Sequence, residues 1–454
     1  MKHVSEELKS NPARVALVPL ARTTFDIPQA EAVTAQVRSQ LAQAGFELVG
    51  PEELVTNLDR VAMVADELAA DPPDLLLALQ ATFADTTMVT RLARAVDAPL
   101  LLWAVPEALT GGRLRLNSFC GINLAAHALK RAGRPYETLY TAPDDPAAMS
   151  QVNTLARAGR ARRRLRGARI GRIGEHPAGF DSCRFDGPAL EERFGVEVVQ
   201  VALERIFEDA QAASDDAVEE VLEDLQTRLA DLDQLAQDPL RGTLRTYLAL
   251  RHLAQEEEID GLAVRCWPEF FTEMGCAACG AMSMLSDEFT PCSCEVDING
   301  TITQLVLQWL SNEPAFGTDM VALDEERDGV VLWHCGLAPL AMADPTFQPR
   351  GTIHSNRELP LLMEFPLKPG RVTIARLSEA TGGYRLVVGA GEMVRAPLSF
   401  SGTSGVVRFD RPAADVLDTL LAEGLEHHVS LTYGNHVPAL LALAEMLDLP
   451  VLCL

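Results

Sequence analysis

The chain has 454 residues, of which 48% are hydrophobic and 23% charged, and its formal net charge is −25 at pH 7. At roughly 100–200 residues per domain, this length predicts two to four globular domains with a large buried core. The negative charge argues against nucleic acid or an anionic membrane surface as the main partner, because both would repel the chain. The sequence has neither a run of about 18 apolar residues nor a signal peptide, so we expect no membrane span and a cytoplasmic protein.

The first third of the sequence alternates short apolar runs with amphipathic segments. The predicted strands are "ARVALVPLA", "FELVG", "DLLLALQ" and "APLLLWAV". The segment "PQAEAVTAQVRSQLAQAG" is a predicted helix that ends at Gly45. Short apolar strands that alternate with helices predict a parallel sheet covered on both faces. We therefore assign residues 1–165 to an N-terminal α/β domain.

An arginine-rich segment at residues 157–174 leads into a second α/β unit. The segment has no interleaved aromatic residues, which favours a connecting helix and a strand over an RNA-binding surface. A strand follows in "GVEVVQVAL", then a long acidic helical stretch from about Glu204 to Gln237 and another strand in "DGLAVRCWPEFF". We then predict a helix in "CAACGAMSMLSDE", a strand in "TPCSCEVD" and a helix in "GTITQLVLQWLSN". Residues 166–315 are predicted to form a central α/β domain.

The pattern of predicted elements changes after about residue 315. Strands are predicted in "DGVVLWHCG", "RVTIARLSE", "GGYRLVVGAGEMV" and "SGVVRF", separated by Gly, Pro and polar turns. This pattern is typical of an antiparallel sheet. Residues 316–454 are therefore predicted as a β-rich domain that ends in a His-bearing α/β segment. The predicted fold class is α/β, with two parallel-sheet, Rossmann-like domains followed by a C-terminal antiparallel β-rich domain.

The nine cysteines are odd in number and lie mostly in apolar runs, which favours reduced, buried thiols over a disulfide framework. Two closely spaced pairs, Cys276 with Cys279 and Cys292 with Cys294, are compatible with a structural zinc site. They lie in a predicted helix and a predicted strand without the turns that would wrap an ion, so we interpret them as core residues. The glycine-rich nucleotide loops and the serine-hydrolase motif do not occur, which argues against a dehydrogenase, a kinase or a serine hydrolase.

Acidic residues follow the ends of two predicted strands in the central domain. Glu269 follows "AVRCWP", and Glu295 and Asp297 follow "TPCSC". Ligands of open α/β sheets bind at the carboxyl ends of the strands, so these acids could share a metal site with a polar group of "HHVSLTYGNH". Each acid alone is also typical of a loop or a helix cap, and spacing alone does not show that they converge.

Four motifs resemble the L-fucose isomerase and L-arabinose isomerase superfamily, and above all its shorter fucose isomerase-like proteins. They are "RCWPEFF" at 265–271, "CEVDINGTITQLVLQWLS" at 294–311, "WHCGLAP" at 333–339 and "HHVSLTYGNHVPALLALAEMLDLPV" at 427–451. The N-terminal third resembles this family only in its alternation of predicted strands and helices.

The resemblance implies a site in which two carboxylates and one histidine hold a divalent cation, usually Mn²⁺, with Mg²⁺ or Co²⁺ as alternatives. The implied ligands are Glu269, Asp297 and His428. Glu273 and Glu295 remain alternatives for the two carboxylates.

The implied activity is that of a metal-dependent aldose–ketose isomerase. The cation would bind O1 and O2 of the sugar, and Glu269 and Asp297 would move a proton between C2 and C1 through a cis-enediol. The alternative is a sugar-binding or regulatory protein that has the same fold and no catalysis.

The sequence leaves the sugar open, and fucose, arabinose and a modified monosaccharide with a sulfonate or acidic group all remain. Candidates for binding sugar hydroxyls are His176, Asp181 and Arg184 of the loop at 174–186, and His436, although each is equally typical of a structural residue. Members of the superfamily form rings of subunits, so the resemblance also implies a homo-oligomer, a trimer or a hexamer.

Overall fold

The computed structural model describes residues 12–454, which form two compact units. We call them the N-terminal unit, which contains the described residues up to Arg163 together with Glu445–Leu447, and the main unit, which contains Arg164–Ala444 and Asp448–Leu454. Within the described residues, no helix is both long enough and apolar enough to cross a membrane.

The N-terminal unit contains a parallel sheet of five strands in the order β2-β1-β3-β4-β5. The strands are β1 Arg14–Leu20, β2 Glu47–Val49, β3 Leu75–Gln80, β4 Leu100–Ala104 and β5 Glu137–Tyr140. The helices of this region are α1 Ile27–Gln43, α2 Leu58–Ala70, α3 Thr86–Ala95, α4 Ser118–Arg131 and α5 Pro146–Leu165. The central strands β3 and β4 are buried along their whole length, which explains their continuous apolar runs.

The main unit begins with a second parallel sheet, in the order β7-β6-β8-β9. Its strands are β6 Arg169–Ile173, β7 Glu197–Val201, β8 Gly261–Val264 and β9 Cys292–Ser293. The helices of this part are α6 Gly187–Phe194, α7 Leu203–Ala212, α8 Asp215–Arg228, α9 Gln237–Glu256, α10 Glu269–Thr272, α11 Cys279–Asp287 and α12 Ile298–Ser311. The acidic helical stretch predicted from about 204 to 237 contains two helices, α7 and α8. Ser214 interrupts it, because its hydroxyl caps α8 at the Ala217 amide.

A nine-stranded sheet follows, in the order β12-β13-β16-β11-β10-β17-β14-β15-β18. Its strands are β10 Phe316–Asp324, β11 Gly329–His334, β12 Arg350–Thr352, β13 Leu362–Pro366, β14 Gly370–Ser378, β15 Arg385–Val394, β16 Thr403–Phe409, β17 His428–Tyr433 and β18 Val451–Cys453. The last two helices are α13 Ala413–Ala422 and α14 Val437–Met446. Because β15 also pairs with β16, the antiparallel strands from β16 to β15 close into a barrel.

The predicted fold class is confirmed, since two parallel α/β sheets precede a mainly antiparallel C-terminal region. The His-bearing segment contributes β17, which pairs antiparallel with β10 and β14 inside the barrel, and β18, which pairs parallel with β15.

Helix α12 joins the parallel sheet of the main unit to the barrel. It is buried at every position from Ile298 to Leu310, although it carries several polar side chains. Those side chains bind backbone on both sides. Thr301 donates to the carbonyl of Leu262 in β8, and Thr303 accepts from the amide of Leu377 in β14. The first residue of this helix is thereby fixed relative to the barrel.

All nine cysteines are free thiols. The four that suggested a zinc site are buried and have separate partners. Cys276 contacts Thr246, Cys292 donates to the carbonyl of Thr290, Cys279 lies 3.3 Å from Cys335, sulfur to sulfur, and Cys294 is hydrogen-bonded to Cys266. Burial raises the pKa of Cys276 to about 11, which keeps it a thiol.

We expect the native protein to contain no stoichiometric zinc bound by these four cysteines, and only the exposed Cys120 and Cys453 to react quickly with a thiol reagent. Elemental analysis and titration of thiols before and after unfolding check this. Loss of one zinc per chain in both Cys279→Ala and Cys294→Ala would contradict the interpretation as core residues.

Candidate active site

The pairing of β10 with β17 brings a carboxylate and an imidazole together. His428 is the first residue of β17 and lies directly opposite Asp319 of β10 in the antiparallel ladder. Side chains of directly opposed residues project from the same face of a sheet. The Nε2 atom of His428 accordingly lies 3.6 Å from Oδ1 of Asp319.

The end of β9 brings two further carboxylates to His428. A tight turn at Cys294–Val296 follows the strand, and Glu295 and Val296 both have a φ of 59°, a left-handed conformation that is unusual for a β-branched residue. This turn places Asp297 and Glu295 on two sides of the imidazole. Oδ2 of Asp297 lies 3.1 Å from Nδ1 of His428, and Oε2 of Glu295 lies 3.9 Å from Nε2.

Asp297 has three partners, which makes it a positioning residue. Its Oδ1 accepts from the Gly300 amide at 2.9 Å and so caps α12, and its Oδ2 accepts from the buried Arg376 and from His428. A Cβ atom at Gly300 would collide with the Asp297 carboxylate, so this close approach requires glycine. Asp297 therefore holds the proton of His428 on Nδ1 and leaves Nε2 facing Glu295 and Asp319.

Burial and neighbouring charges shift the pKa values of the ionisable groups in this cluster. Burial opposes ionisation of Asp297, but Arg376 and His428 outweigh it, so the pKa of Asp297 is well below its usual range. Burial likewise opposes the charged form of His428, yet the hydrogen bond to Asp297 and the attraction of Asp297 and Asp319 raise its pKa. Burial raises the pKa of Asp319. A divalent cation bound at Nε2 of His428 would replace the proton that the neighbouring carboxylates favour there and would stabilise the charged form of Asp319.

In the part of the chain that the structure describes, two overlapping groups of side chains could hold a metal ion. One consists of Cys183, Glu295, His427 and His428, and the other of Asp319, His334 and His428, and the ligand atoms of each lie within 4.8 Å of one another. His428 belongs to both groups. Among the described residues, Oδ1 of Asp319 is buried without a hydrogen-bond partner, an arrangement that a bound cation would satisfy.

Cys183 and His334 are the weaker ligands of these groups. Burial raises the pKa of Cys183 and keeps it a thiol, which is a poor ligand for a hard cation. Burial and the neighbouring histidines lower the pKa of His334 to about 3, so its ring is neutral. Its Nδ1 already accepts from the Cys335 amide at 2.9 Å, which leaves the proton on Nε2.

The cluster opens to solvent at His427. This side chain is 40% exposed, and its ring centroid lies 3.9 Å from that of His428. Phe180 and Trp267 stand beside it, and Trp267 donates through Nε1 to Oε1 of Glu295 at 3.2 Å. On the inner side, Asp297, His334 and His428 help to line a cavity of ≈ 10 Å³, comparable to one water molecule. A sugar must therefore approach from the His427 side.

Comparison with known proteins identifies the family of this site. The family described as fucose/sulfoquinovose isomerase, N-terminal domain, matches residues 16–166, and the L-fucose isomerase C-terminal domain matches residues 363–454. A sulfoquinovose isomerase of Alkalicoccus urumqiensis is 34% identical over 444 residues, which cover 96% of this chain and 98% of that protein. The chain belongs to the fucose/sulfoquinovose isomerase family.

The resemblance seen in the sequence is thereby confirmed, and the protein is an isomerase. A sulfoquinovose isomerase of Priestia aryabhattai is 32% identical over 438 residues, again 96% of this chain and 98% of the relative. Among solved structures, an ABC transporter solute-binding protein of Agrobacterium vitis bound with tagatopyranose has a TM-score of 0.18 and 17% identity, and covers 58% of this chain and 79% of its own. That likeness is too weak to carry an argument.

The residues predicted as metal ligands do not all lie together in the structure. His428 and Asp297 are in contact, and Glu295, the alternative carboxylate, lies on the other side of His428. Glu269 instead forms a two-pronged ion pair with Arg265, with both N–O distances at 2.7 Å, and Glu273 is exposed. Among the residues that the structure describes, neither belongs to the two candidate ligand groups. Their assignment stays a prediction.

The predicted sugar-binding residues differ in position. Asp181 and Arg184 form an exposed ion pair at 3.0 Å, and His436 is buried against the carbonyl of Tyr433. The carbonyl of His176 accepts from Arg265 at 3.5 Å. The loop at 174–186 does reach the site, but through side chains that sequence reasoning missed. They are Phe180, Cys183 and Ser182, whose hydroxyl lies 2.9 Å from Nδ1 of His427.

Sequence reasoning also missed Asp319 and His427. Asp319 lies in the predicted β-rich domain but outside the strands predicted from the sequence, and only its register against β17 brings it to His428. His427 carried a signal, since it is the other half of the His-His pair, but the resemblance implied only His428.

Proposed function

We propose that the protein is a metal-dependent aldose–ketose isomerase that acts on sulfoquinovose, a glucose with a sulfonate on C6. The observation that carries the chemistry is the convergence of Glu295, Asp319 and Nε2 of His428 at a cleft open on the His427 side. The choice of sugar is supported by two sulfoquinovose isomerases that match this chain over nearly its whole length.

Asp319 and His428 would hold a divalent cation, with Glu295 as the third ligand. Carboxylate oxygens and a neutral imidazole nitrogen are the ligands that Mn²⁺ prefers, and Mg²⁺ and Co²⁺ accept the same donors in part. The unpartnered Oδ1 of Asp319 and the Nε2 atom left free by Asp297 both support this proposal. When bound, the cation would polarise the sugar's O1 and O2.

Glu295 is the proposed base. Burial opposes its ionisation, but the hydrogen bond with His427 and the charge of His428 lower its pKa, so the carboxylate is ready to accept a proton. It would take the proton from C2 of the aldose and return it to C1, which leaves a cis-enediol between the two steps. Trp267, which donates to Oε1, would hold the carboxylate in place during both transfers.

His427 is proposed to move the second proton, from O2 to O1. It is exposed to the cleft and lies between the Ser182 hydroxyl at 2.9 Å and Oε2 of Glu295 at 3.1 Å. An imidazole can donate a proton from one ring nitrogen and accept one at the other, which suits transfer between two oxygens. Together the two transfers convert the aldehyde and C2 hydroxyl of the aldose into the ketone and C1 hydroxyl of the ketose.

The purified protein with Mn²⁺ should convert sulfoquinovose to its ketose, observed by NMR of the sugar. Removal of metal by a chelator should lower turnover by at least about 100-fold, and added Mn²⁺ should restore it, because the cation stabilises the charge that develops on the oxygens. Full turnover by protein shown to be metal-free by elemental analysis would contradict the metal proposal. Turnover of fucose or arabinose but not of sulfoquinovose would contradict the proposed substrate.

The two remaining expectations from the sequence have different outcomes. A sugar-binding protein without catalysis has no specific observation in its favour, since the family matches and the relatives are isomerases. A homo-oligomer, trimer or hexamer, stays a prediction for light scattering.

A further inference from the structure

Arg357 occupies an unusual position in the loop between β12 and β13. Its guanidinium carbon lies 5.0 Å from the ring centroid of Trp267 and 5.0 Å from that of Phe271. A guanidinium packed on aromatic faces is stabilised by the ring electrons and loses little freedom when it then binds an anion. The two rings therefore hold this cation in a defined place.

The backbone of the loop supports the same arrangement. The carbonyl of His354 accepts from the amides of Arg357 and Glu358, at 3.1 and 2.7 Å, and Nδ1 of His354 accepts from the amide of Asn356 at 3.2 Å. The His354 ring packs edge-on against Phe271, with ring centroids 5.3 Å apart. Arg357 thus projects from a compact, hydrogen-bonded turn.

The charge of Arg357 is not neutralised within the part of the chain that the structure describes, since no carboxylate lies within 4.0 Å of its guanidinium nitrogens. Other arginines around the cleft are already ion-paired. Arg265 binds Glu269 and Arg376 binds Asp297. In a chain with 64 acidic and 39 basic side chains, an arginine without a carboxylate partner is available for an anion from outside.

Trp267 connects this cation to the reacting end of the cleft. One part of its ring system carries Arg357, and its Nε1 donates to Glu295 at 3.2 Å. Trp267 therefore contacts both the guanidinium and the proposed base. In an aldohexose the C6 substituent is likewise at the opposite end of the molecule from C1 and C2, where the proton moves.

We propose that Arg357 binds the anionic substituent at the far end of the sugar and so selects a sulfonated aldose over its uncharged counterpart. This inference rests on the proposed function. The sugar would lie along Trp267, with C1 and C2 at Glu295 and two sulfonate oxygens on the two-pronged edge of the guanidinium. Lysine, a compact charge without a planar face, would replace it only in part.

The test compares sulfoquinovose with 6-deoxyglucose, which lacks only the sulfonate. We expect Arg357→Gln to lower kcat/KM for sulfoquinovose by about 10- to 100-fold, the usual effect of losing hydrogen bonds to a charged group, and to change kcat/KM for 6-deoxyglucose less than about threefold. Arg357→Lys should recover part of the loss. The matched control is Arg241→Gln, which removes an arginine of α9 that is paired with Glu219 of α8. It should affect neither sugar.

Calorimetric titration of both sugars separates this inference from the proposed function. If wild-type protein binds sulfoquinovose more tightly than 6-deoxyglucose and Arg357→Gln loses that difference, the inference is supported even where no turnover is seen. If wild-type protein isomerises sulfoquinovose and Arg357→Gln keeps the full preference, the proposed function stands and the inference is overturned. Equal losses for both sugars, or no preference in the wild type, also overturn it.

Discussion

Replacing Glu295 with Gln should lower kcat by at least about 100-fold, because the amide keeps the shape of the side chain but cannot accept the C2 proton. The substrate KM should change little. Trp267 still has an oxygen to which it can donate, so the local structure has no reason to rearrange. Steady-state kinetics with sulfoquinovose and Mn²⁺, together with the metal content of each preparation, measures this effect.

Glu269→Gln is the matched comparison, since the sequence alone placed the base at Glu269. Its carboxylate is occupied by Arg265, whose hydrogen bond lowers the pKa of Glu269, and it lies outside both candidate ligand groups in the described structure. We expect a loss of less than about tenfold. If Glu269→Gln abolishes turnover while Glu295→Gln does not, the assignment from the sequence is correct and ours is wrong.

Asp297→Ala should lower the free energy of unfolding by about 3–5 kcal/mol, because the buried Arg376 guanidinium loses its close carboxylate and keeps only Glu426, whose Oε2 lies 3.8 Å from its Nε. The side chain of Arg376 is only 1% exposed and that of Asp297 only 2%. The same change removes the cap of α12. Urea unfolding of wild-type and variant protein measures the difference, and a change below about 1 kcal/mol would contradict it.

A triple variant tests the buried charge as the cause. Arg376→Met combined with Asp297→Asn and Glu426→Gln removes the guanidinium together with both carboxylates that it faces, so it should be more stable than Asp297→Ala alone. The pH dependence has a defined sign. Because the pKa of Asp297 is depressed in the folded protein, its contribution to stability is complete above the ordinary value of 3.8 and is lost as the pH falls below that value.

The local structure of this chain could largely be predicted from hydrophobic patterning. Apolar runs such as Leu75–Gln80 gave the parallel strands, and the Gly- and Pro-punctuated strands after residue 315 gave the antiparallel region. Closure of the barrel could not be predicted, because it depends on the pairing of β15 with β16, which no local pattern encodes. The split of the acidic helix at Ser214 could have been found, since serine before two aspartates is a typical helix start.

Part of the candidate site could also be predicted from the sequence. His428 begins a strand, and Glu295 and Asp297 follow one. Polar residues at the ends of apolar strands can be recognised in the sequence as candidates for a ligand site. Asp319 depends on long-range register and gave no local signal. The ion pair of Glu269 with Arg265 gave no local signal either, because Arg265 lies after β8 and ahead of the helix that begins at Glu269, so that helical spacing does not apply to the pair.

The pairing of Asp319 with His428 in the β10–β17 ladder ties the reactive groups to backbone register. A slip of one residue would bring the exposed His427 to the buried position, so the barrel cannot adjust this distance gradually. The loops at 174–186 and 353–359 carry no such constraint, although Phe180 and Arg357 form the rim of the cleft. New sugars can therefore be accommodated by exchanging loop residues, while the two proposed cation ligands Asp319 and His428 stay fixed by the strands.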